Sequence, residues 1–207
     1  MPRTATSAQV VPLSLRFPRL QATGTEIARI EQHLAGARIQ RLTGFAASRD
    51  GLLASLQTPV DLLHIASHSR VDPDFPQLSA IVLSRYDQAG RERVPWVYAA
   101  DLRSLPLSGS YVVMSACETA LGKRVEGEGL IGLSYALLGA GTRGVVATTW
   151  RVADAATAAY MDAFYDSLHE RADLPRAAAD AARRMLDDRY WNHPHYWAAF
   201  VALDSEM

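Results

Sequence analysis

Residues 107–122 read LSGSYVVMSACETALG, and the fold turns on how this stretch is understood. Tyr111 to Met114 is a short apolar run, preceded by Ser108, Gly109 and Ser110 and followed by Ser115, Ala116 and Cys117. An apolar run this short between turn formers reads as a strand buried on both faces, since a half-exposed strand would alternate with polar residues. The pattern recurs twice. Val60 to Ala66 (VDLLHIA) ends in Ser67, His68 and Ser69, and Gly144 to Thr149 (GVVATT) leads into Trp150 to Asp154. Helical sequence lies between and beyond these runs: Gly129 to Leu138, then Ala155 to Leu168, then PRAAADAARRML opening at Pro175. Proline is tolerated in a first helical turn, and the residues after it are good helix formers. Apolar strands separated by helices predict an α/β fold, with a mainly parallel sheet covered on both faces.

The flanks are less decisive. Ile27, Ile30 and Leu34 recur at spacings of three and four, which predicts a helix over Thr25 to Leu34 with Thr25 as its cap. Ala37 to Leu42 reads as a short strand, Ser48 to Leu56 as a short helix, and Ala198 to Leu203 as a closing strand. Residues 1–16 are small, polar and proline-containing, and are expected to be a loose leader or a displaced first strand. Residues 17–207 then form one domain, which suits a chain of 207 residues.

Composition narrows the function. With 49% hydrophobic and 21% charged residues the chain is an ordinary globular one, neither disordered nor fibrous. The single cysteine, Cys117, rules out an internal disulfide framework and suits a reducing, cytoplasmic setting. A formal charge of -1 lacks the basic excess of a nucleic-acid footprint, and no window has the roughly 18 consecutive apolar residues of a spanning helix. No nucleic-acid or membrane partner is therefore expected.

In open α/β sheets the functional crevice lies outside the carboxyl ends of the strands, where strand order reverses. His68, Cys117 and the segment Trp150 to Asp154 each follow one of the three central strands, so they meet at one edge if those strands are neighbours. A cysteine nucleophile needs a base to maintain its thiolate and backbone donors for the developing oxyanion. His68 and Cys117 suit the first two roles, and the backbone N–H groups of Ser69 and Cys117 the third. Cys117 lies 49 positions after His68 and follows an alanine, a spacing close to that of the caspase signature, whose histidine stands about 50 residues upstream.

Several motifs carry a wider resemblance: LLHIASHS at 62–69, LSGSYVVMSACETALG at 107–122 and GEGLIGLSYALLGAGTRGVVATTWRVADAATA at 127–158. FPRLQATGTEIARI at 17–30 and HPHYWAAFVAL at 193–203 extend it to both ends. Together they resemble the CHAT domains, caspase-like peptidases of the caspase and separase clan often found beside TPR repeats. The resemblance implies a caspase-like three-layer α/β/α sandwich with a mainly parallel central sheet. It also implies that His68 is the catalytic histidine and Cys117 the nucleophile, with no metal or organic cofactor. By the same resemblance the substrate is a protein or peptide, the setting a regulated bacterial effector of defence, and a TPR or other regulatory protein a possible partner. Two departures stand out. The family usually has glycine after the histidine where this chain has Ser69, which bears on activity more than on fold. CHAT domains also commonly carry a strand and helix before the segment at 18–20, so the chain is expected to be a compact member or a piece of a longer protein. A catalytically silent pseudo-peptidase that binds a partner through the same cleft is the alternative.

Other features have plainer readings. Asp154 and Glu118 are acids near the expected cleft that can receive a basic substrate side chain, and Trp150 can form an apolar wall; Asp154 can equally cap the helix behind it. His64 and His68 are four apart, but in a strand rather than a helix and without a third ligand, so no metal site is expected. GAGTRG at 139–144 matches the dinucleotide fingerprint in letters only, because it follows a helix and opens a strand. Ser134 lacks the closing glycine of a nucleophile elbow.

Overall fold

The computed structural model describes residues 17–72, 74–115, 128–171 and 173–205. In chain order the main elements are α1 (Thr23–His33), α2 (Arg49–Ser55), β1 (Leu62–Ile65), β2 (Ser69–Arg70), β3 (Ala80–Val82), β4 (Trp96–Tyr98), α3 (Ala99–Arg103), β5 (Tyr111–Met114), α4 (Glu128–Gly139), β6 (Gly144–Thr148), α5 (Asp154–Arg171), α6 (Leu174–Asp187) and β7 (Phe200–Asp204). Four strands form the main sheet in the order β1-β5-β6-β7. The first three run parallel, and β7 closes the edge antiparallel to β6.

Alternation along the two central strands explains the layers. Val112 and Met114 of β5, with Val145 and Ala147 of β6, point to one core, shared with Leu52 of α2, Leu102 of α3 and Leu133 and Leu137 of α4. Val113 and Val146 point the other way, into a second core built by Tyr160 and Phe164 of α5, Ala177 and Ala181 of α6, and Ile30 of α1. Strands covered on both faces have no polar alternation to show, which is why YVVM and GVVAT read as unbroken apolar runs. Mixed α/β content and a mostly parallel central sheet between helical layers agree with the expected α/β/α sandwich.

Local chemistry sets several boundaries. Ser48 caps α2 by accepting the Gly51 N–H at 3.1 Å, and Asp173 caps α6 by accepting that of Arg176 at 2.9 Å, with Pro175 in the first turn. Gly141, at φ +84°, takes the left-handed turn between α4 and β6, which gives GAGTRG its structural meaning.

Two expectations need correction. The first helix begins two residues before Thr25, and its cap position, Ala22, makes no side-chain cap; the Ala22 N–H instead donates to Asp154 at the start of α5. The strand expected over Ala37 to Leu42 does not form: residues 37–43 are irregular and stand across a groove from β1 instead of pairing with its edge. They line the far wall of a groove along the open edge of β1. A second sheet, β2-β3-β4, is antiparallel and went unread in the sequence. Its strands have two or three residues each, too short for any period to show. No helix among the described residues is long and apolar enough to cross a membrane.

One buried polar network ties α1, β1 and α5 together. His64 lies between Tyr165, whose hydroxyl is 2.9 Å from Nδ1, and Glu26, whose carboxylate is 3.1 Å from Nε2. Burial, and then the Glu26 charge, push the Tyr165 phenol well above its ordinary pKa. The phenol therefore keeps its proton beside Nδ1, while Nε2–H faces the Glu26 carboxylate, which can only accept. Glu26→Ala leaves that imidazole N–H buried without its acceptor, at an expected cost of about 2–3 kcal/mol. Glu26→Gln, which keeps an accepting oxygen, loses less. Urea titration of the two variants makes the comparison, and equal midpoints for Glu26→Ala and wild type would remove the network from the list of stabilising contacts.

Candidate active site

The parallel order β1-β5-β6 brings the carboxyl ends of these three strands side by side, with β1 at the edge of the described sheet. His68 follows the first, Ser115 the second, and Trp150 to Asp154 the third. Ser115 donates its N–H to the Ile65 carbonyl at 3.1 Å, locking the ends of β1 and β5 together. Its hydroxyl, and that of Thr148 at the end of β6, are buried without a hydrogen-bond partner among the described residues. Cys117 and Glu118 lie outside the described residues.

His68 is held from three sides. Its carbonyl accepts the Val82 N–H at 2.8 Å, which extends the β2-β3 ladder back by one residue. Its Nε2 lies 2.5 Å from the Pro18 carbonyl oxygen, and the Phe17 ring sits over the imidazole at 5.3 Å between centroids. Phe17 also meets Trp96 edge-on at 5.8 Å, so a single aromatic wall covers the histidine. A carbonyl can only accept, so Nε2 carries a proton and donates it to Pro18. Sequence reasoning missed this partner. Phe17 and Pro18 belong to the FPRL segment, but nothing in its letters says that a backbone carbonyl is aimed at a histidine 50 residues away.

The small sheet has two distinct faces. Opposite residues in an antiparallel pair share a face, and successive residues alternate. His68 and Arg70 therefore lie on one face with Ala80, Val82, Trp96 and Tyr98. Ser69 lies on the other with Ile81 and Val97, which pack into the main core, and it is buried. The Ser69 side chain thus turns away from the face that carries the imidazole.

The remaining expected residues lie farther along the same edge. The Asp154 carboxylate accepts the Ala22 N–H at 2.6 Å, so the segment from Phe17 to Ala22 runs from His68 to the start of α5 and is fastened at both ends. Trp150 donates its indole N–H to the His195 carbonyl at 2.9 Å and stacks on the His195 ring. A groove of about 1800 Å³ leads from His68 and Trp96 between this segment, residues 37–43 and β1. That is larger than the roughly 300–1,000 Å³ typical of a small-molecule pocket and suits a polypeptide. No cluster of three or more His, Cys, Asp or Glu side chains suited to a metal ion occurs among the described residues.

A mostly parallel sheet between helical layers, with a histidine set just beyond the edge strand β1, has the architecture of the caspase-like α/β/α proteins. Within that class the family follows directly: the CHAT domain model matches residues 3–205, and the chain belongs to the CHAT domain family. Among individual proteins, tetratricopeptide repeat protein 28 of Mus musculus is 35% identical over 109 residues, covering 53% of this chain and 4% of that protein. Tetratricopeptide repeat protein 28 of Homo sapiens is 31% identical over 109 residues, again 53% of this chain and 4% of its own length. The chain thus matches only a small part of these much longer relatives.

Proposed function

We propose that this CHAT domain is a cysteine endopeptidase that cuts a protein partner through His68 and Cys117. The observation that carries the reading is the bond from His68 Nε2–H to the Pro18 carbonyl. A general base is useful only if one nitrogen holds a lone pair and the ring cannot turn away from its task, and an orienting acceptor on the other nitrogen supplies both conditions.

The chemistry runs in two halves. His68 Nδ1 takes the proton of the Cys117 thiol, and the thiolate attacks the scissile carbonyl carbon to form a C–S bond. The carbonyl π electrons move to oxygen, where backbone N–H groups stabilise the charge. Ser69 suits that role by its place in the ladder. His68 and Val82 form a hydrogen-bonded pair, so Ser69 and Ile81 form a non-hydrogen-bonded pair whose N–H groups point away from each other, outside the β2-β3 ladder. The C–N bond then breaks as imidazolium protonates the departing amine, and water, deprotonated by the same nitrogen, hydrolyses the thioester. A tetratricopeptide-repeat segment or a separate regulatory protein is the proposed controller, in keeping with the names of the relatives.

Reaction of Cys117 with a thiol-reactive peptide electrophile, compared across wild type, Cys117→Ala and His68→Ala, tests the pair. With one cysteine in the chain, all thiol labelling reports on Cys117. Labelling at equal rates in wild type and His68→Ala would sink the peptidase reading and leave the silent binding module standing.

A further inference from the structure

Asp154 opens α5, and its carboxylate accepts the N–H of Ala22, 132 positions away, at 2.6 Å. Ala22 is the cap position of α1 and makes no side-chain cap. The first N–H groups of a helix have no partner within it, so this one depends on the carboxylate. Four residues upstream, the Pro18 carbonyl oxygen stands 2.5 Å from His68 Nε2. Four residues of chain reach at most about 14 Å, while β1 and β6, which the two anchors follow, are two strand spacings, about 9.6 Å, apart in the sheet. The segment has little slack, and movement at Ala22 passes to Pro18.

The far anchor is firm. α5 has 18 residues, and its Tyr160 and Phe164 are buried in the core. Arg29 and His33 of α1 reach Asp162 of α5 at 3.1 and 2.9 Å. Those contacts hold the body of α1, about two and three turns beyond Ala22. The bond from Asp154 holds the residue at which the segment from Phe17 enters the helix.

We propose that Asp154 is a positioning residue for His68: it holds Ala22, and through it the segment whose Pro18 carbonyl orients the imidazole. The assignment rests on the peptidase reading above and adds how its base is kept in place. Asp154 touches neither thiol nor substrate in this role, so its loss weakens the base without removing it.

The test is alkylation of Cys117 by iodoacetamide across a pH series, with urea midpoints measured alongside. This reagent has no side chain for an acid to bind, so substrate recognition cannot move its rate. Asp154→Ala is expected to lower the rate at neutral pH by about tenfold, as a displacement of the base by a fraction of an ångström gives, and to move the profile toward that of His68→Ala. Asp154→Asn keeps an accepting oxygen and drops the charge, so it is expected to stay within about twofold of wild type. Ala22→Pro removes the donor at a position whose φ of -79° suits proline. It should match Asp154→Ala, and the double variant should lose no more than either, since both act through one bond. If Ala22→Pro fails to fold, the comparison of Asp154→Asn with Asp154→Ala decides alone. Alkylation of Asp154→Ala at the wild-type rate overturns the role, and a fall confined to peptide cleavage would return Asp154 to substrate binding. Asp154→Asn as slow as Asp154→Ala, or additive losses in the double variant, overturns it too. Coincident pH profiles for wild type and His68→Ala overturn the peptidase reading as well.

Discussion

His68→Ala is expected to slow both peptide cleavage and labelling of Cys117 by about 10²–10⁴-fold, the usual contribution of a positioned general base. The size of the loss follows from what the imidazole does. At neutral pH a cysteine of ordinary pKa, about 8.5, is mostly protonated. In the proposed mechanism His68, oriented through Nε2 by the Pro18 carbonyl, shifts the thiol toward thiolate and later returns the proton to the leaving amine. The two variants separate the steps. Cys117→Ala removes the nucleophile and is expected to abolish labelling outright, whereas His68→Ala leaves a thiol that still reacts slowly as pH rises toward its ordinary range. The pH profile is therefore the discriminating measurement: wild type reacts at neutral pH, and His68→Ala recovers only in alkali. Phe17→Ala, which removes the ring over His68 but leaves the Pro18 carbonyl, gives a smaller loss, confined to kcat if its role is orientation. Superimposable pH profiles for wild type and His68→Ala would rule out an activated pair.

Phe164→Ala produces the second large effect, on stability. Phe164 is fully buried in the core between α5 and the main sheet and meets Tyr165 edge-on at 5.2 Å. Phenylalanine truncation in a core costs about 3–5 kcal/mol, because the cavity adds to the lost transfer free energy. Against a total of about 5–15 kcal/mol for a typical domain, that is a large fraction. Tyr160→Phe on the same helix is the useful contrast. It keeps the ring stacked on Phe200 at 3.7 Å and loses only the hydroxyl bond to the Ala178 carbonyl, at about 0.5–1.5 kcal/mol. Packing should therefore outweigh the hydrogen bond in urea titrations of the two variants. Phe164→Leu, which fills part of the volume, should fall between them. Equal shifts for Phe164→Ala and Tyr160→Phe would mean that this face of α5 does not carry the core. The effect also reaches the site, because α5 begins at Asp154, which anchors the segment that brings Pro18 to His68.

The centre of the main sheet was legible because β5 and β6 are buried on both faces. YVVM and GVVAT could be recognised as strands without any knowledge of their neighbours, and the caps at Ser48 and Asp173 act within three residues of themselves. Where a boundary depended on something distant, the reading slipped. Ala22 is tied by a side chain 132 positions away, and residues 37–43 have strand-like letters but stand across a groove from β1 without pairing to it.

The candidate site divides along the same line. His68 and its position beyond a strand end are matters of local sequence, as are Cys117, the spacing between them and the family they mark. Its orientation by Pro18, the opposite faces of Ser69 and Arg70, and the network joining His64 to Glu26 and Tyr165 belong to the folded chain alone. Each is made across 38 to 101 positions or across a sheet whose strands have only two or three residues. Local pattern records which face of an element is buried; it carries no record of which atom a distant segment presents to that face. That choice is made only when helices and strands close around a common core.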